Sequence, residues 1–137
     1  ERIMIIPIFA VNDVAASSRF YTENLEFGEL FQMPGESGPM FAMIALNPAA
    51  NIGLSRCEAP EPKGSGCVIM VYVAEETDID AYYERVKGRG TEISQDIRDE
   101  YWGDRTFAVK DPDGFFVQLC KTIKQVSPEE AIAAQAG

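Results

Sequence analysis

The chain carries the same strand-turn-strand pattern twice, and this repeat limits the folds open to it. The second copy is TFAVKDPDGFFVQL, residues 106–119, where two apolar runs meet at Asp111-Pro112-Asp113-Gly114. Proline presets one backbone angle and glycine permits a left-handed one, so the chain is expected to reverse there. The first copy is MIALNPAANIGLS, residues 43–55, and its Asn47 lies 64 positions before Asp111. A repeat of this kind indicates two similar modules.

The elements around the two turns follow the same order in each half. The first half predicts a strand from residue 2, with Pro7 at an edge or bulge, then a helix capped by Asn12 or Asp13, then three strands. The second half predicts the strand CVIMVYV, a helix capped at Thr77, and the strands TEISQDI, RTFAVKD and FFVQLCK.

We therefore expect an α+β fold of two βαβββ modules that form a cupped mixed sheet within one domain, residues 1–137. The modules span about residues 3–57 and 67–123, a Pro/Gly/Ser-rich linker spans 58–66, and a short helical tail capped by Ser127 covers 127–135. One helix can cover only one face of each sheet. The other faces are left to enclose a ligand or a second subunit.

Composition excludes several classes of function. Histidine is absent from all 137 residues, which removes Ser–His and Cys–His nucleophile pairs, histidine bases and histidine metal ligands. The formal charge of −10 argues against nucleic acid and anionic membranes as partners, and no apolar run approaches the roughly 18 residues of a spanning helix. Without a secretory signal, a cytoplasmic location with reduced thiols is expected, although Cys57 and Cys67 flank the linker and are able to pair under oxidising conditions.

Two segments resemble one known family. PIFAVNDVAASSRFYTENLEFGELF and WGDRTFAVKDPDGFFVQL are similar to the two halves of the vicinal oxygen chelate superfamily, also called the glyoxalase/bleomycin resistance/dioxygenase superfamily. The similarity covers roughly residues 4–122 and follows the family's order and spacing of motifs. It implies paired βαβββ modules and a homodimer with two grooves.

The resemblance also implies where a metal would lie. Enzymes of the superfamily hold a divalent ion with four side chains, and those positions fall here on Ile6, Leu54, Val68 and Gln118. Three of these residues are aliphatic and have no lone pair to donate, and a glutamine oxygen alone is a weak ligand. We therefore expect no metal and no other cofactor. The family geometry turns Gln118 toward the groove.

The second module supplies a candidate aromatic and acidic groove mouth. Trp102 occupies the Trp-Gly position of bleomycin-binding family members, where it would stack on a flat or cationic ligand, and a Trp packed only for stability is the alternative. Asp96, Asp99, Glu100 and Asp104 surround it in sequence. These acids would attract a cation, or form only a solvated loop. Asp99 and Glu100 are the candidate ligand contacts.

The first module supplies a candidate apolar wall. Phe31, Met33 and Phe41 come from two consecutive predicted strands, and Phe41 matches an aromatic residue of the drug-binding family members. Methionine adapts to irregular ligands, which favours a binding surface, whereas a core or dimer-interface cluster is the alternative.

The leading interpretation is a binding protein that sequesters a small organic molecule, resembles bleomycin-type antibiotic resistance proteins, prefers cationic or aromatic ligands and breaks no bond. A second interpretation is a metal-independent lyase or isomerase that uses Glu100 or Tyr101 as its acid-base group. A third is an inert or regulatory family member in which the groove is only a dimer seam.

Overall fold

The computed structural model describes residues 4–57 and 67–136, and within them it has eight strands and three helices. The first half contains β1 (Ile8–Val11), α1 (Val14–Arg19), β2 (Gly28–Met33), β3 (Phe41–Asn47) and β4 (Ala50–Arg56). The second half contains β5 (Val68–Tyr72), α2 (Ile79–Gly88), β6 (Ile93–Asp99), β7 (Asp104–Lys110) and β8 (Phe116–Thr122), and α3 (Pro128–Ala136) follows. The predicted linker, residues 58–66, lies outside the described residues.

Each half forms its own four-stranded mixed sheet. The order is β1-β4-β3-β2 in the first sheet and β5-β8-β7-β6 in the second. In both, the first strand pairs in parallel with the last, and the remaining pairs are antiparallel. The α+β class and the two βαβββ modules are therefore confirmed, with two sheets that do not close on each other.

Two local predictions need correction. The first strand begins at Ile8 and not at residue 2, because Pro7 has no amide hydrogen with which to extend the ladder. The helix that follows agrees with the sequence prediction, and beyond Arg19 it continues as a π-helical segment, Phe20–Asn24. α2 is capped by Asp78 rather than Thr77, since the Asp78 carboxylate accepts a 3.1 Å hydrogen bond from the amide of Ala81.

One hydrophobic core joins both modules. Helix side chains such as Tyr21 and Tyr82 are buried in it, and so are strand residues of both sheets, among them Val11, Leu54, Val109 and Leu119, each 0% exposed. The helices therefore cover one face of each sheet. The opposite faces stay open in the single chain.

The Asp111-Pro112-Asp113-Gly114 turn fastens module two to the start of α1. The Asp113 carboxylate accepts hydrogen bonds from the backbone amide of Asn12 at 3.0 Å and the Ser17 hydroxyl at 3.1 Å. The Asp111 carboxylate is buried and accepts the Tyr21 hydroxyl at 2.8 Å. Burial raises the pKa of this Asp111 carboxyl above its ordinary value.

The matching turn of module one also contacts the other module. Asn47 donates its side-chain amide to the backbone carbonyl of Tyr72, the last residue of β5, at 3.0 Å. Close by, Glu26 forms ion pairs with Arg85 and Arg89 at 2.7 and 2.8 Å. Each copy of the turn therefore forms hydrogen bonds to the opposite module.

Candidate functional site

The open face of the first sheet carries the apolar wall expected from the sequence. Strand register places Phe31 opposite Met43 and Met33 opposite Phe41, so all four side chains share this face. The Phe31 and Phe41 rings stack with centroids 6.0 Å apart and planes inclined by 29°. Phe31 and Met33 remain 47% and 54% exposed, which is a large apolar exposure for one short strand.

A glycine beneath Phe41 was not singled out from the sequence. Gly53 lies opposite Met43 in the sheet, and a Cβ atom on it would approach the Phe41 ring to 2.9 Å. The missing side chain lets the Phe41 ring lie flat on the strand. A glycine inside a strand is a known mark of close approach, and that signal was present in NIGLS.

The open face of the second sheet carries Gln118. Its neighbours Val117 and Leu119 are 0% exposed and belong to the core. Gln118 points to the opposite, open face, together with Met70, its register partner on β5. Side chains along this part of β8 therefore alternate between the core and the open face. Met70 and Tyr72, on the same face of β5, are each 45% exposed.

A polar network crosses this second face. The Thr106 hydroxyl donates to Glu100 Oε2 at 3.0 Å and accepts hydrogen bonds from the side-chain amides of Gln95 at 2.9 Å and Gln118 at 3.3 Å. Arg98 binds the other Glu100 oxygen at 3.1 Å, and the Glu100 side chain is 7% exposed. Glu100 is therefore a covered charge, and a ligand would meet Gln118 before it.

The acidic residues around Trp102 divide between the two faces. Asp99 binds Arg105 at 2.7 Å, and Arg105 also binds Asp80 of α2, which places this pair on the helix side. Asp96 likewise accepts the hydroxyl of Tyr83, a residue of α2, at 2.8 Å. The structure therefore brings Glu100, but not Asp99, into the network around Gln118.

Trp102 is half-buried at the hairpin between β6 and β7 and is held by a carboxylate. Its indole nitrogen donates to Asp104 Oδ2 at 2.9 Å, and the Tyr72 hydroxyl donates to the same oxygen at 2.5 Å. Tyr101 contacts the Trp102 ring edge-on at 5.0 Å. Neither Tyr72 nor Asp104 was selected from the sequence as a ligand contact, because their proximity depends on strand pairing across the sheet.

Two ionisable groups of this face, Cys120 and Tyr72, have raised pKa values. Cys120 is fully buried, and burial, assisted by the nearby Asp104 and Glu100 charges, raises the pKa of its thiol to about 12. The hydrogen bond to Asp104 raises the pKa of Tyr72 as well. At neutral pH both groups therefore keep their protons.

The donor set does not fit the metal that enzymes of this fold hold. Leu54, assigned to the groove by resemblance, lies on the core face, and the open face of β4 presents Gly53 and Ser55 instead. The other positions, Ile6 and Val68, carry only hydrocarbon. Among residues 4–57 and 67–136 no three histidine, cysteine or carboxylate side chains converge. Aliphatic side chains and one amide cannot supply the oxygen or nitrogen donors that a divalent ion needs.

The structure does not assemble all the predicted residues in one place. Phe31, Met33 and Phe41 belong to the first sheet, whereas Trp102 and Gln118 belong to the second. The two modules do meet at a cleft of about 310 Å³. Ile5 and Asn51 line it from the first module, and Met70 and Tyr72 line it from the second.

None of the helices in the described part of the chain is both long enough and apolar enough to span a bilayer.

Comparison with known proteins agrees with the geometry. TioX from Micromonospora sp. ML1 superposes with a TM-score of 0.72 at 20% identity, covering 89% of this chain and 100% of that one. TnmS3, an antibiotic binding protein from Streptomyces sp. CB03234, superposes with a TM-score of 0.68 at 25% identity, covering 89% and 97%.

Sequence comparison extends this result. Uncharacterized protein Mb0911c of Mycobacterium bovis is 26% identical over 137 aligned residues, or 93% of this chain and 89% of that protein. The family model for the Glyoxalase/Bleomycin resistance protein/Dioxygenase superfamily matches residues 3–119. With this match over most of its length and two βαβββ modules in its fold, the chain belongs to the Glyoxalase/Bleomycin resistance protein/Dioxygenase superfamily.

Proposed function

We propose that this protein binds and sequesters a small planar organic molecule, preferably a cationic one, without transforming it. The observation that carries the proposal is the pair of open sheet faces. On the face of the first sheet, the rings of Phe31 and Phe41 stack on each other. On the face of the second sheet, Met70 and Tyr72 are exposed beside the hydrogen-bonded carboxylate of Glu100. Exposed aromatic and methionine side chains of this density favour a binding surface over an ordinary solvated face.

Polar groups on the second face favour a ligand with N–H donors. Within the described residues the side-chain carbonyl oxygens of Gln95 and Gln118 accept no hydrogen bond, since their amide nitrogens make the contacts to Thr106. Glu100 adds a negative charge behind them. Hydrocarbon walls would supply affinity, and these acceptors would select the orientation of a donor-bearing ligand.

The groove is completed, in this proposal, by a second copy of the chain. The first sheet of one protomer faces the second sheet of its partner, so that Phe31 and Phe41 come to lie opposite Trp102 and Gln118. This arrangement covers the apolar side chains that each sheet exposes in a single chain. TnmS3, a structural relative with 25% identity, is an antibiotic binding protein, which supports binding over catalysis.

The proposal is tested by titrating the protein with a panel of planar aromatic compounds, matched in shape and differing in charge. Trp102 is the only tryptophan, so its fluorescence reports binding directly. We expect saturation at one ligand per groove, micromolar or tighter affinity for a subset of cations, and full recovery of the unchanged ligand by mass spectrometry. A product that accumulates with time would instead favour the lyase or isomerase interpretation.

A further inference from the structure

We propose that Asp104 is a positioning residue that fixes Trp102 and Tyr72 as two walls of one aromatic corner, and that Tyr72 is itself a ligand contact. The inference rests on the proposed function and names the part of the site that selects a planar, positively charged ring. Asp104 would act through the two rings, whereas Tyr72 and Trp102 would touch the ligand.

The geometry of the corner is set by a single oxygen atom. Trp102 Nε1 at 2.9 Å and the Tyr72 hydroxyl at 2.5 Å both donate to Asp104 Oδ2. Asp104 is buried at 3% exposure, whereas Tyr72 is 45% exposed. A buried, charge-assisted pair of hydrogen bonds therefore holds two rings whose outer surfaces remain open.

The backbone around Trp102 is held as firmly as its ring. Gly103 has φ of +102°, and a Cβ atom there would collide with the backbone carbonyl of Lys124. The Gly103 carbonyl accepts hydrogen bonds from the amides of Ile123 and Lys124 at 2.9 and 3.0 Å. The segment after β8 thus clamps the turn, and a pre-positioned ring loses little entropy when a ligand stacks on it.

The charge at the corner has no cationic partner within the described residues. The neighbouring arginines are committed elsewhere, Arg105 to Asp80 and Asp99 and Arg98 to Glu100. The carboxylate behind the rings makes their exposed faces more attractive to a cation, because ring quadrupole and charge act in the same direction. Since the pKa of Tyr72 is raised by its bond to Asp104, its phenol stays a neutral donor.

The positioning role is tested first without any ligand. Asp104→Asn keeps the side-chain shape but removes the negative charge that strengthens both hydrogen bonds, so acrylamide quenching of Trp102 fluorescence should rise about two-fold and its anisotropy should fall. Tyr72→Phe keeps the Trp102 hydrogen bond and should leave the quenching unchanged. Tyr101→Phe is the matched control, because the Tyr101 hydroxyl makes no hydrogen bond in the described part of the chain. Equal quenching in wild type and a folded Asp104→Asn would overturn the positioning role.

The ligand arm uses two dyes with the same three fused rings, 9-aminoacridine, a cation at neutral pH, and acridine, which is neutral. We expect the wild type to prefer the cation about ten-fold, Asp104→Asn to reduce this preference to less than about two-fold, and Tyr72→Phe to weaken cation binding about three-fold. Tyr101→Phe should match the wild type.

Failure of the inference and failure of the proposed function give different results. Tight binding of planar compounds by the wild type, with no change in Asp104→Asn and Tyr72→Phe, overturns the inference and leaves the proposed function standing. Absence of binding of either dye to the wild type contradicts the proposed ligand class, even where the quenching result supports the positioning role.

Discussion

Replacing Asp111 by alanine is expected to lower the unfolding free energy by about 3 kcal/mol, since it orphans several buried donors at once. The Asp111 carboxylate accepts the Tyr21 hydroxyl at 2.8 Å and the amides of Asp113 and Phe115 at 2.9 and 2.8 Å. Tyr21 is 0% exposed and would find no water in place of the lost acceptor. Urea unfolding followed by circular dichroism, at one fixed protein concentration, measures the change.

Asparagine at the same position separates shape from charge. Asp111→Asn keeps one acceptor and the side-chain volume, and should cost about 1 kcal/mol. Burial raises the pKa of Asp111 in the folded state. The contribution of Asp111 to the unfolding free energy is therefore complete at pH values below its unfolded-state pKa, and it is lost as pH rises through its folded-state pKa. The advantage of wild type over Asp111→Asn should therefore shrink as pH rises from acid toward neutrality. An alanine variant as stable as wild type would show that the turn does not join the modules.

The second large effect concerns the groove. Removing both stacked rings in Phe31→Ala/Phe41→Ala should weaken binding of 9-aminoacridine, or of the best compound in the panel, about 100-fold. Folding should be little affected because neither side chain belongs to the buried core. Trp102→Ala, followed by isothermal calorimetry, should weaken binding to a similar extent. Ile132→Ala, an apolar side chain 66% exposed on α3, is the control and should bind like wild type.

Mixing the two defective proteins tests whether two copies build each groove. When the Phe31→Ala/Phe41→Ala and Trp102→Ala chains are refolded together, random pairing makes about half of the dimers mixed, and each mixed dimer has one intact groove. About a quarter of all grooves should then bind with wild-type affinity. No recovery of tight sites after mixing would place the whole site within one chain.

Sequence patterns predicted the module architecture because periodicity and turn chemistry act locally. The order of strands and helices in each module followed from the spacing of apolar residues and from the two turns. The small errors concern element ends, where neighbouring residues offer alternative boundaries. Asp78 caps α2 in place of the adjacent Thr77, and the first strand starts only after Pro7.

The details of the site depend on pairing across the sheet, which one sequence does not encode locally. Asp104 meets Tyr72 across 32 positions, and nothing near either residue in sequence signals the contact. Asp99 and Glu100 are adjacent in sequence and serve opposite faces, because successive side chains of an extended strand alternate, and the register shifts earlier in β6 obscure which of the two points outward. Leu54 was assigned to the groove by resemblance, and alternation along β4 places it in the core.

Methyl NMR of methionine-labelled protein tests the central claim most directly, since the five methionines are spread over both modules. The protein is titrated with a cationic dye that it binds. We expect one binding curve to describe the shifts of the methyl signals of Met33, Met43 and Met70 and of the indole signal of Trp102. Shifts confined to a single module, or none on the open sheet faces while the dye is bound, would contradict a groove built from both faces.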